Sequence, residues 1–328
     1  MVIISSTSLS DQKSNSVKVF KPKAEKRRKR LLKWWDARYL LALLTPMMIY
    51  YLFFHYVPMY GLLLAFKDLN FNAGILGSPW VGFKHFHYMF NLPEFLRVFQ
   101  NTLIIAFGRL IIEFPIPIII ALLLNEVRHK RLKKFFQTVY TFPHFLSWVI
   151  ISGIMLNFLG DMGVFNQILV SLGLEKINLL TNINTFKGLI FGSSIWKEMG
   201  WGTIIYLAAM AGINPELYEA ASIDGAGRWR KMFSITWPAL RNTVLVLLIL
   251  QLGNVMGGAG FDQIFNIDNA VVRPTSEILD TYIYRATFFQ GLGFGFTTAV
   301  GLFKSIINFI LLISAHHIVK SRGHGGLF

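Results

Sequence analysis

The sequence lacks cysteine altogether and carries little charge for its 328 residues. Without cysteine the chain can form no disulfide bond, no zinc site built from thiolates and no cysteine nucleophile. Charged residues make up 15% of the chain, whereas soluble domains carry roughly a quarter. Apolar residues make up 54% and aromatic residues 15%, and the mean hydropathy is +0.49. This composition argues against a disordered, fibrous or ordinary soluble protein and predicts a polytopic membrane protein.

Several sequence motifs for chemistry are also missing. The chain has no glycine-rich phosphate loop ending in Gly-Lys, no His-Glu-x-x-His zinc helix and no Gly-x-Ser-x-Gly nucleophile elbow. The close histidine pairs, His85 with His87 and His316 with His317, have no carboxylate beside them in the sequence. We therefore expect no catalytic residue, no metal site and no cofactor bound by this chain itself.

Long apolar stretches predict about six membrane-spanning helices. About 20 apolar residues cross the hydrocarbon core of a bilayer. The candidate stretches are 39–66, 101–125, 138–160, 188–213, 242–260 and 291–319. The first contains no charged residue and is longer than one crossing needs, and we expect Pro46 or Pro58 to kink or end it. The predicted fold class is an all-α membrane helix bundle.

Lysine and arginine lie mainly on one side of this predicted bundle. One side holds 21 of them, and it consists of 1–38, 126–137, 214–237 and the tail after 319. The other side holds six, and it consists of 67–100, 161–186 and 261–290. Because positive charge marks the cytoplasmic face, we predict that both termini are cytoplasmic. The long loops on the opposite side are typical of a protein that docks an external partner.

The predicted domain organisation has three parts. Residues 1–38 form a basic cytoplasmic tail with an interfacial segment, 39–319 form the transmembrane domain, and 320–328 form a short cytoplasmic tail. The basic run at 26–30 could indicate nucleic-acid binding, but beside a membrane span it favours contact with anionic lipid headgroups.

Charged residues inside the predicted spans are candidates for a translocation path, since each costs about 2.5–3.5 kcal/mol at a helix centre. These residues are Arg109, Glu113, Lys197, Glu198 and Lys304. Arg109 and Glu113 are four residues apart and share a helix face, so they form either a structural ion pair or a polar wall of the path. Trp196 precedes Lys197 and offers an aromatic face suited to a sugar. The predicted path residues are Arg109, Glu113, Trp196, Lys197 and Lys304.

The segment 214–238, between the fourth and fifth spans, carries clear helix signals. Asn214 is a good N-cap, and Pro215 suits the first helical position. Gly225 is placed to end the helix with a left-handed turn. We expect a second short helix over 228–235, before Pro238 opens the fifth span. Such a segment is long and ordered for a connecting loop, and it predicts a docking element.

This segment resembles a known family. Glu219-Ala220-Ala221-x-x-Asp224-Gly225-Ala226, followed by Ile235 and Pro238, resembles the EAA loop of ABC importer permeases. Trp237 stands where leucine is usual. Further stretches resemble the polysaccharide and oligosaccharide branch, the LplB-type subunits, and these are 77–83, 261–266, 278–285 and 299–305.

The resemblance implies a fold, partners and a mechanism. The fold would be that of type I ABC importer permeases, in a bacterial plasma (inner) membrane. The partners would be a second, similar permease, an extracytoplasmic solute-binding protein, and two cytoplasmic ATPase subunits that hold ATP and Mg²⁺. The ATPase-coupling residues would be Glu219, Ala220, Ala221, Asp224, Gly225 and Ala226.

The implied substrate is a poly- or oligosaccharide, and both a neutral sugar and an acidic one such as an alginate or uronate oligomer remain open. Two other classes of protein compete with this reading. An ion-coupled secondary transporter usually shows inverted repeats and intramembrane acids, and we find no repeat. A membrane-embedded enzyme acting on lipid or glycan would need convergent Asp, Glu or His residues, and none converge in the sequence.

Overall fold

The computed structural model describes residues 37–257 and 260–321, and within these ranges it contains helices and no β-strand. The predicted basic tail, apart from its last two residues, and residues 322–328 lie outside the described residues. The α-helices of the described ranges are α1 (Arg38–Tyr51), α2 (Gly74–Gly77), α3 (Lys84–Asn91), α4 (Pro93–Gly108), α5 (Pro115–Asn125), α6 (Lys130–Thr141), α7 (Trp148–Leu159), α8 (Val164–Ser171), α9 (Phe186–Ala211), α10 (Pro215–Ile223), α11 (Arg228–Lys231), α12 (Trp237–Gly253), α13 (Phe261–Ile267), α14 (Arg273–Ser276), α15 (Leu279–Phe288) and α16 (Gly293–Ser321).

Several of these helices join into elements that can cross a membrane. In the described part of the chain, five are long and apolar enough by length and composition: Arg38–Phe66, Pro93–Asn125, Trp148–Ser171, Arg228–Gly253 and Gly293–His317. The predicted span 188–213 corresponds to α9, which has 26 residues but carries Lys197 and Glu198. The predicted all-α membrane fold is confirmed.

Three π turns in the described residues share one cause. Each π turn is followed by one further residue and then by a proline. The residue before the proline donates its backbone N–H to the carbonyl oxygen of the residue five positions earlier in the chain. The donors and acceptors are Val57 to Leu52, Phe114 to Arg109, and Trp237 to Met232. A proline ring clashes with the carbonyl four residues earlier and offers no N–H, so the helix widens locally instead of ending.

The π turns bear on two predictions. Pro46 and Pro58 were expected to kink or end the first helix; neither ends it, and the helix changes from α to π geometry at Leu52, ahead of Pro58, and to 3₁₀ geometry at Val57. The predicted separate helix over 228–235 is wrong. It continues through the π turn Met232–Thr236 into α12, and α12 ends at Gly253, before the predicted end at 260.

Two other predicted boundaries differ from the structure. The second long helix begins at Pro93 and not at 101, because Pro93 occupies its first turn. The predicted span 138–160 is interrupted, since α6 gives way to a 3₁₀ turn over Phe142–Phe145 that contains Pro143. The chain restarts as α7, where Ser147 accepts a hydrogen bond from the backbone N of Ile150 (3.3 Å).

The chain divides between Gly61 and Leu62 into two compact units. The described residues of the first unit form α1, the π turn Leu52–Tyr56 and the start of the 3₁₀ helix Val57–Phe66, and their large apolar side chains, such as Leu43 and Phe54, are exposed. Exposed apolar side chains along a helix of this length fit a lipid environment.

The second unit contains three hydrophobic clusters. One joins α3, α4, α15 and α16 around Tyr282 and Phe296, and a second joins α4, α7, α9 and α13 around Phe186 and Ile264. The third joins α5, α9 and α12 around Tyr206. Helix α9 takes part in two of these clusters and therefore forms the central support of the second unit.

Candidate coupling helix and membrane cleft

Helix α10 has the geometry that the sequence predicts. The Asn214 side chain accepts a hydrogen bond from the backbone N of Glu216 (3.0 Å) and caps the helix. At the other end Gly225 adopts a positive φ of 73°, and Ala226 donates its backbone N–H to the carbonyl of Ala221 (2.8 Å). This six-to-one bond with a left-handed glycine is a Schellman-type helix end. The predictions for Asn214, Pro215 and Gly225 are confirmed.

The outer face of α10 presents small, acidic and apolar groups together. Glu219, Ala220, Asp224 and Gly225 are exposed, while Ala221 and Ala226 are half-buried. Ile223 is 88% exposed, more than any other large apolar side chain of this segment. An exposed isoleucine beside two alanines leaves an apolar patch with little side-chain bulk, which another protein can approach closely.

Side chains that the sequence did not single out fasten α10 to the following span. The hydroxyl of Tyr218 lies 2.9 Å from Oγ1 of Thr236, which is buried in the π turn before α12. Lys231 donates from Nζ to Oγ of Ser222 (2.6 Å). These bonds join α10 to the helix Arg228–Gly253, so a displacement of α10 reaches that span directly. No sequence pattern pairs Tyr218 with Thr236, because the partners meet only after folding.

A cleft of about 460 Å³ opens between helices α4, α5, α9 and α12. Its charged, polar and aromatic lining residues include Arg109, Glu113, Ser194, Glu198, Trp201, Gln251 and Asn254. Of the five predicted path residues, the structure therefore brings Arg109 and Glu113 to this cleft. Trp196, Lys197 and Lys304 lie elsewhere.

Arg109 and Glu113 occupy the two ends of the π turn before Pro115. Arg109 Nε lies 3.8 Å from Glu113 Oε1, and the two side chains are 11% and 16% exposed. Arg109 also donates to Gln263 of α13, and Glu113 accepts from Ser194 Oγ (2.8 Å). The ion pair thus bonds to two neighbouring helices, as buried charges require. The Arg109–Glu113 pair therefore holds neighbouring helices together and also lines the cleft.

Lys197 supports the cleft from behind. Its Nζ donates to the backbone carbonyl of His144 (2.6 Å), in the 3₁₀ turn that interrupts the predicted third span. Nδ1 of His144 lies 2.7 Å from Glu198 Oε2, and its ring stacks on Trp201 with centroids 4.4 Å apart. Lys197 therefore positions the turn that holds two cleft residues. His144 and Trp201 were missed, although a histidine beside a proline within an apolar run is a usable signal.

Lys304 and Trp196 lie outside the cleft. Lys304 pairs with Asp280 of α15, which ties the last span to the segment between α12 and α16. Trp196 is 42% exposed on α9. Of the predicted path residues, Arg109 and Glu113 therefore line the cleft and Lys197 supports it. Lys304 bonds to α15, and the ring of Trp196 is exposed.

The segment 261–290 is held by a half-buried arginine. Arg285 donates to both carboxylate oxygens of Glu277 (2.6 and 2.8 Å) and to Glu94 of α4 (2.6 Å). Burial lowers the pKa of Arg285, but the hydrogen bonds to Glu277 and Glu94 outweigh it and raise the pKa above its usual range. Arg285 therefore remains positively charged, and its hydrogen bonds fix α15 against α4.

Comparison with known proteins agrees with this geometry. A family model described as "Binding-protein-dependent transport system inner membrane component" matches residues 113–324. The polygalacturonan/rhamnogalacturonan transport system permease protein YteP of Bacillus subtilis (strain 168) is 46% identical over 307 residues, covering 93% of this chain and 95% of YteP. Protein LplB of the same organism is 45% identical over 292 residues, covering 89% of this chain and 91% of LplB.

Two solved structures are also similar. A crystal structure of a bacterial ABC transporter involved in the import of the acidic polysaccharide alginate has a chain that matches with a TM-score of 0.82 and 38% identity, covering 89% of this chain and 99% of that one. A bacterial alginate ABC transporter in complex with an alginate pentasaccharide-bound periplasmic protein matches with a TM-score of 0.82 and 36% identity, covering 90% and 99%. This chain belongs to the family of binding-protein-dependent transport system inner membrane components, the permease subunits of ABC importers.

Proposed function

We propose that this chain is the permease subunit of an ATP-driven importer that takes up uronate-containing oligosaccharides. The observation that carries this proposal is the 46% identity, over 93% of the chain, to a permease named for polygalacturonan and rhamnogalacturonan. The similarity to alginate importers points the same way, since alginate is an acidic polysaccharide too. The secondary-transporter alternative receives no support from a binding-protein-dependent family.

The cleft is the half of the translocation path that this chain contributes. Trp201 offers an aromatic face for the apolar side of a sugar ring. Gln251 and Asn254 supply both donors and acceptors for hydroxyl groups. Arg109, although paired with Glu113, is the cation among the described residues that line the cleft, and it is the residue we expect to face a uronate carboxylate. A similar second permease completes the path.

Helix α10 is the element that couples transport to ATP hydrolysis. We assign Glu219, Ala220, Ala221, Asp224, Gly225 and Ala226 to the contact with an ATPase subunit. The exposed patch around Ile223 and the two alanines supports this assignment, as does the bond from Tyr218 to Thr236, which leads into the next span. ATP and Mg²⁺ bind to the partner ATPases. This chain supplies no catalytic group and transmits the movement.

The chain lies in a bacterial plasma membrane with both termini in the cytoplasm. This orientation follows from the 21-to-6 distribution of lysine and arginine. Because the chain has no cysteine, single introduced cysteines can report its orientation in the membrane. We expect an impermeant maleimide to label Ser171→Cys in intact cells and Arg131→Cys only in opened cells. The reverse pattern would overturn the orientation.

Substrate selectivity is tested with the assembled complex in proteoliposomes. The complex contains this chain, the second permease, both ATPase subunits and the loaded binding protein. We expect ATP-dependent uptake of oligogalacturonates and little uptake of neutral maltooligosaccharides of equal length. Preferential uptake of the neutral sugar would contradict the uronate assignment, and uptake of amino acids or peptides alone would contradict a sugar importer.

A further inference from the structure

A second cleft, of about 340 Å³, lies beside α10, where Tyr218 is the residue of that helix that lines it. It is lined by Asn125, Glu126, Arg128, Tyr218, Arg228 and Lys231. We call it the basic cleft. Its residues come from the end of α5, from α10 and from α11. Two of its cations, Arg128 and Arg228, belong neither to the assigned ATPase contact nor to the translocation path.

The charges of the basic cleft are unbalanced. Arg128, Arg228 and Lys231 face a single carboxylate, that of Glu126. Within the described residues neither Arg128 nor Arg228 takes part in an ion pair, and both are exposed. Three cations around one small cleft repel each other. An anion between them would offset that repulsion, so the charge of the basic cleft favours a negatively charged group.

An apolar pocket adjoins the basic cleft. It has a volume of about 140 Å³ and is lined by Leu123, Glu126, Arg228, Trp229 and Met232. Glu126 and Arg228 line both spaces, so the two are adjacent. Nearby, Trp229 is 66% exposed and Phe233 is 62% exposed. A ligand that fills both spaces has an anionic part and an apolar part.

The position of the basic cleft and the apolar pocket indicates what surrounds them. The element Pro93–Asn125 ends at the basic cleft and Arg228–Gly253 begins there, and both are long and apolar enough to cross a membrane. The ends of spanning helices lie at the level of the lipid headgroups, where tryptophan and basic residues are enriched. The cleft therefore lies at the membrane surface, within reach of phospholipids.

We propose that the basic cleft binds the phosphate of an anionic phospholipid, with the glycerol and first acyl carbons in the pocket beside Trp229. Free phosphate fits the cations equally well but leaves the apolar pocket unused. Because Tyr218 of α10 lines the cleft, the bound lipid also contacts the helix that we assign to ATPase coupling. The lipid would hold α10 at a fixed height relative to the membrane.

The test measures lipid binding by the full chain and does not depend on transport. The protein is purified in detergent, and native mass spectrometry measures its binding of phosphatidylglycerol, phosphatidylcholine and inorganic phosphate. We expect one tightly held phosphatidylglycerol. For Arg128→Gln/Arg228→Gln we expect its affinity to fall about fivefold per removed cation, or about 25-fold for the pair. The matched control is Arg131→Gln/Lys134→Gln, which removes two exposed cations from α6 and should leave the affinity unchanged.

Four results would overturn the proposal. Equal binding of phosphatidylcholine and phosphatidylglycerol, or equal losses in the two double variants, would show that no specific lipid site exists. Binding of inorganic phosphate as tight as that of phosphatidylglycerol would identify a free phosphate site instead. In the assembled complex, loss of ATPase co-purification from Arg128→Gln/Arg228→Gln, with lipid affinity unchanged, would show that the cleft belongs to the ATPase interface.

Discussion

Ser194 of α9 donates a hydrogen bond to Glu113, 2.8 Å from Oγ to Oε2, across the membrane cleft. Glu113 is at the same time the partner of Arg109 in an ion pair whose two side chains are 11% and 16% exposed. Charges this deep in an apolar helix persist only when they are paired and hydrogen-bonded. The unit that shapes the cleft is therefore the group of three residues, and substitutions have to be interpreted as changes to that group.

Removing Glu113 alone should be costly. Glu113→Ala leaves the Arg109 charge without its carboxylate, and we expect the free energy of unfolding to fall by about 3–5 kcal/mol. The double variant Arg109→Met/Glu113→Leu removes both charges and should recover most of that loss. Denaturant unfolding of the purified proteins measures both changes.

Uptake by the double variant separates a structural role from a functional one. If the pair also lines the translocation path, the double variant should be stable but slow in transporting oligogalacturonates. Full transport by this variant would show that the pair serves stability alone.

Gly225 should be sensitive because of its backbone conformation. Its φ is 73° and an added Cβ would contact nothing within 4 Å, so any effect of a side chain arises from the turn itself. Gly225→Val should strain the turn by about 1–2 kcal/mol, re-aim α10 and lower ATPase co-purification and uptake, with membrane abundance unchanged.

Two variants control for the Gly225 experiment. Gly227 lies in the same loop, and an added Cβ there would also contact nothing within 4 Å, but its φ is an ordinary −69°. Gly227→Val should therefore behave as wild type. Gly225→Asn should recover coupling, since asparagine tolerates the left-handed conformation. If Gly225→Val and Gly227→Val are equally harmless, the turn does not set the coupling geometry.

Gly200 should be sensitive for a different reason, the close approach of two helices. A Cβ at Gly200 of α9 would overlap the backbone carbonyl of Tyr140 at the end of α6, which cannot move aside like a flexible side chain. We expect Gly200→Ala to lower stability by about 1–3 kcal/mol. Gly192→Ala, on the same helix, meets open space and should be neutral or slightly stabilising. Thermal unfolding of both variants checks this, and equal melting temperatures would contradict the packing described.

Local signals in the sequence predicted much of the geometry of α10. Asn214, Pro215 and Gly225 act through hydrogen bonds and dihedral angles within a few residues of themselves, so sequence alone fixes their roles. Spanning helices were found because apolar length is also a local property.

Residues that act across the fold were harder to predict. Lys197 was expected to line the path, yet it bonds the His144 carbonyl 53 positions away in the sequence. Lys304 similarly finds Asp280. Pro46 and Pro58 were expected to kink or end the first helix, and Pro238 to open the fifth span, whereas the helices before Pro58 and Pro238 widen into a π turn and continue. Tertiary packing decided where Lys197 and Lys304 bond, whereas the π turns arise locally from the prolines that follow them.

Arg285 should be replaceable by lysine only at a cost. Arginine holds Glu277 through two hydrogen bonds and Glu94 through a third, a geometry that lysine cannot reproduce. We expect Arg285→Lys to lower stability by about 1–3 kcal/mol. Arg273→Lys is the control, because Arg273 has one ion-pair partner, Asp268, and is more exposed. A melting temperature of Arg285→Lys equal to that of Arg273→Lys would show that charge alone suffices at this position.

The most direct test of ATP-driven import is uptake of oligogalacturonate by proteoliposomes that contain the complete complex. We predict that uptake requires ATP on the cytoplasmic side and loaded binding protein on the other, continues when ion gradients are collapsed, and is lost with Gly225→Val. Uptake that proceeds without ATP and stops when the proton or sodium gradient is collapsed would contradict the account and favour an ion-coupled transporter.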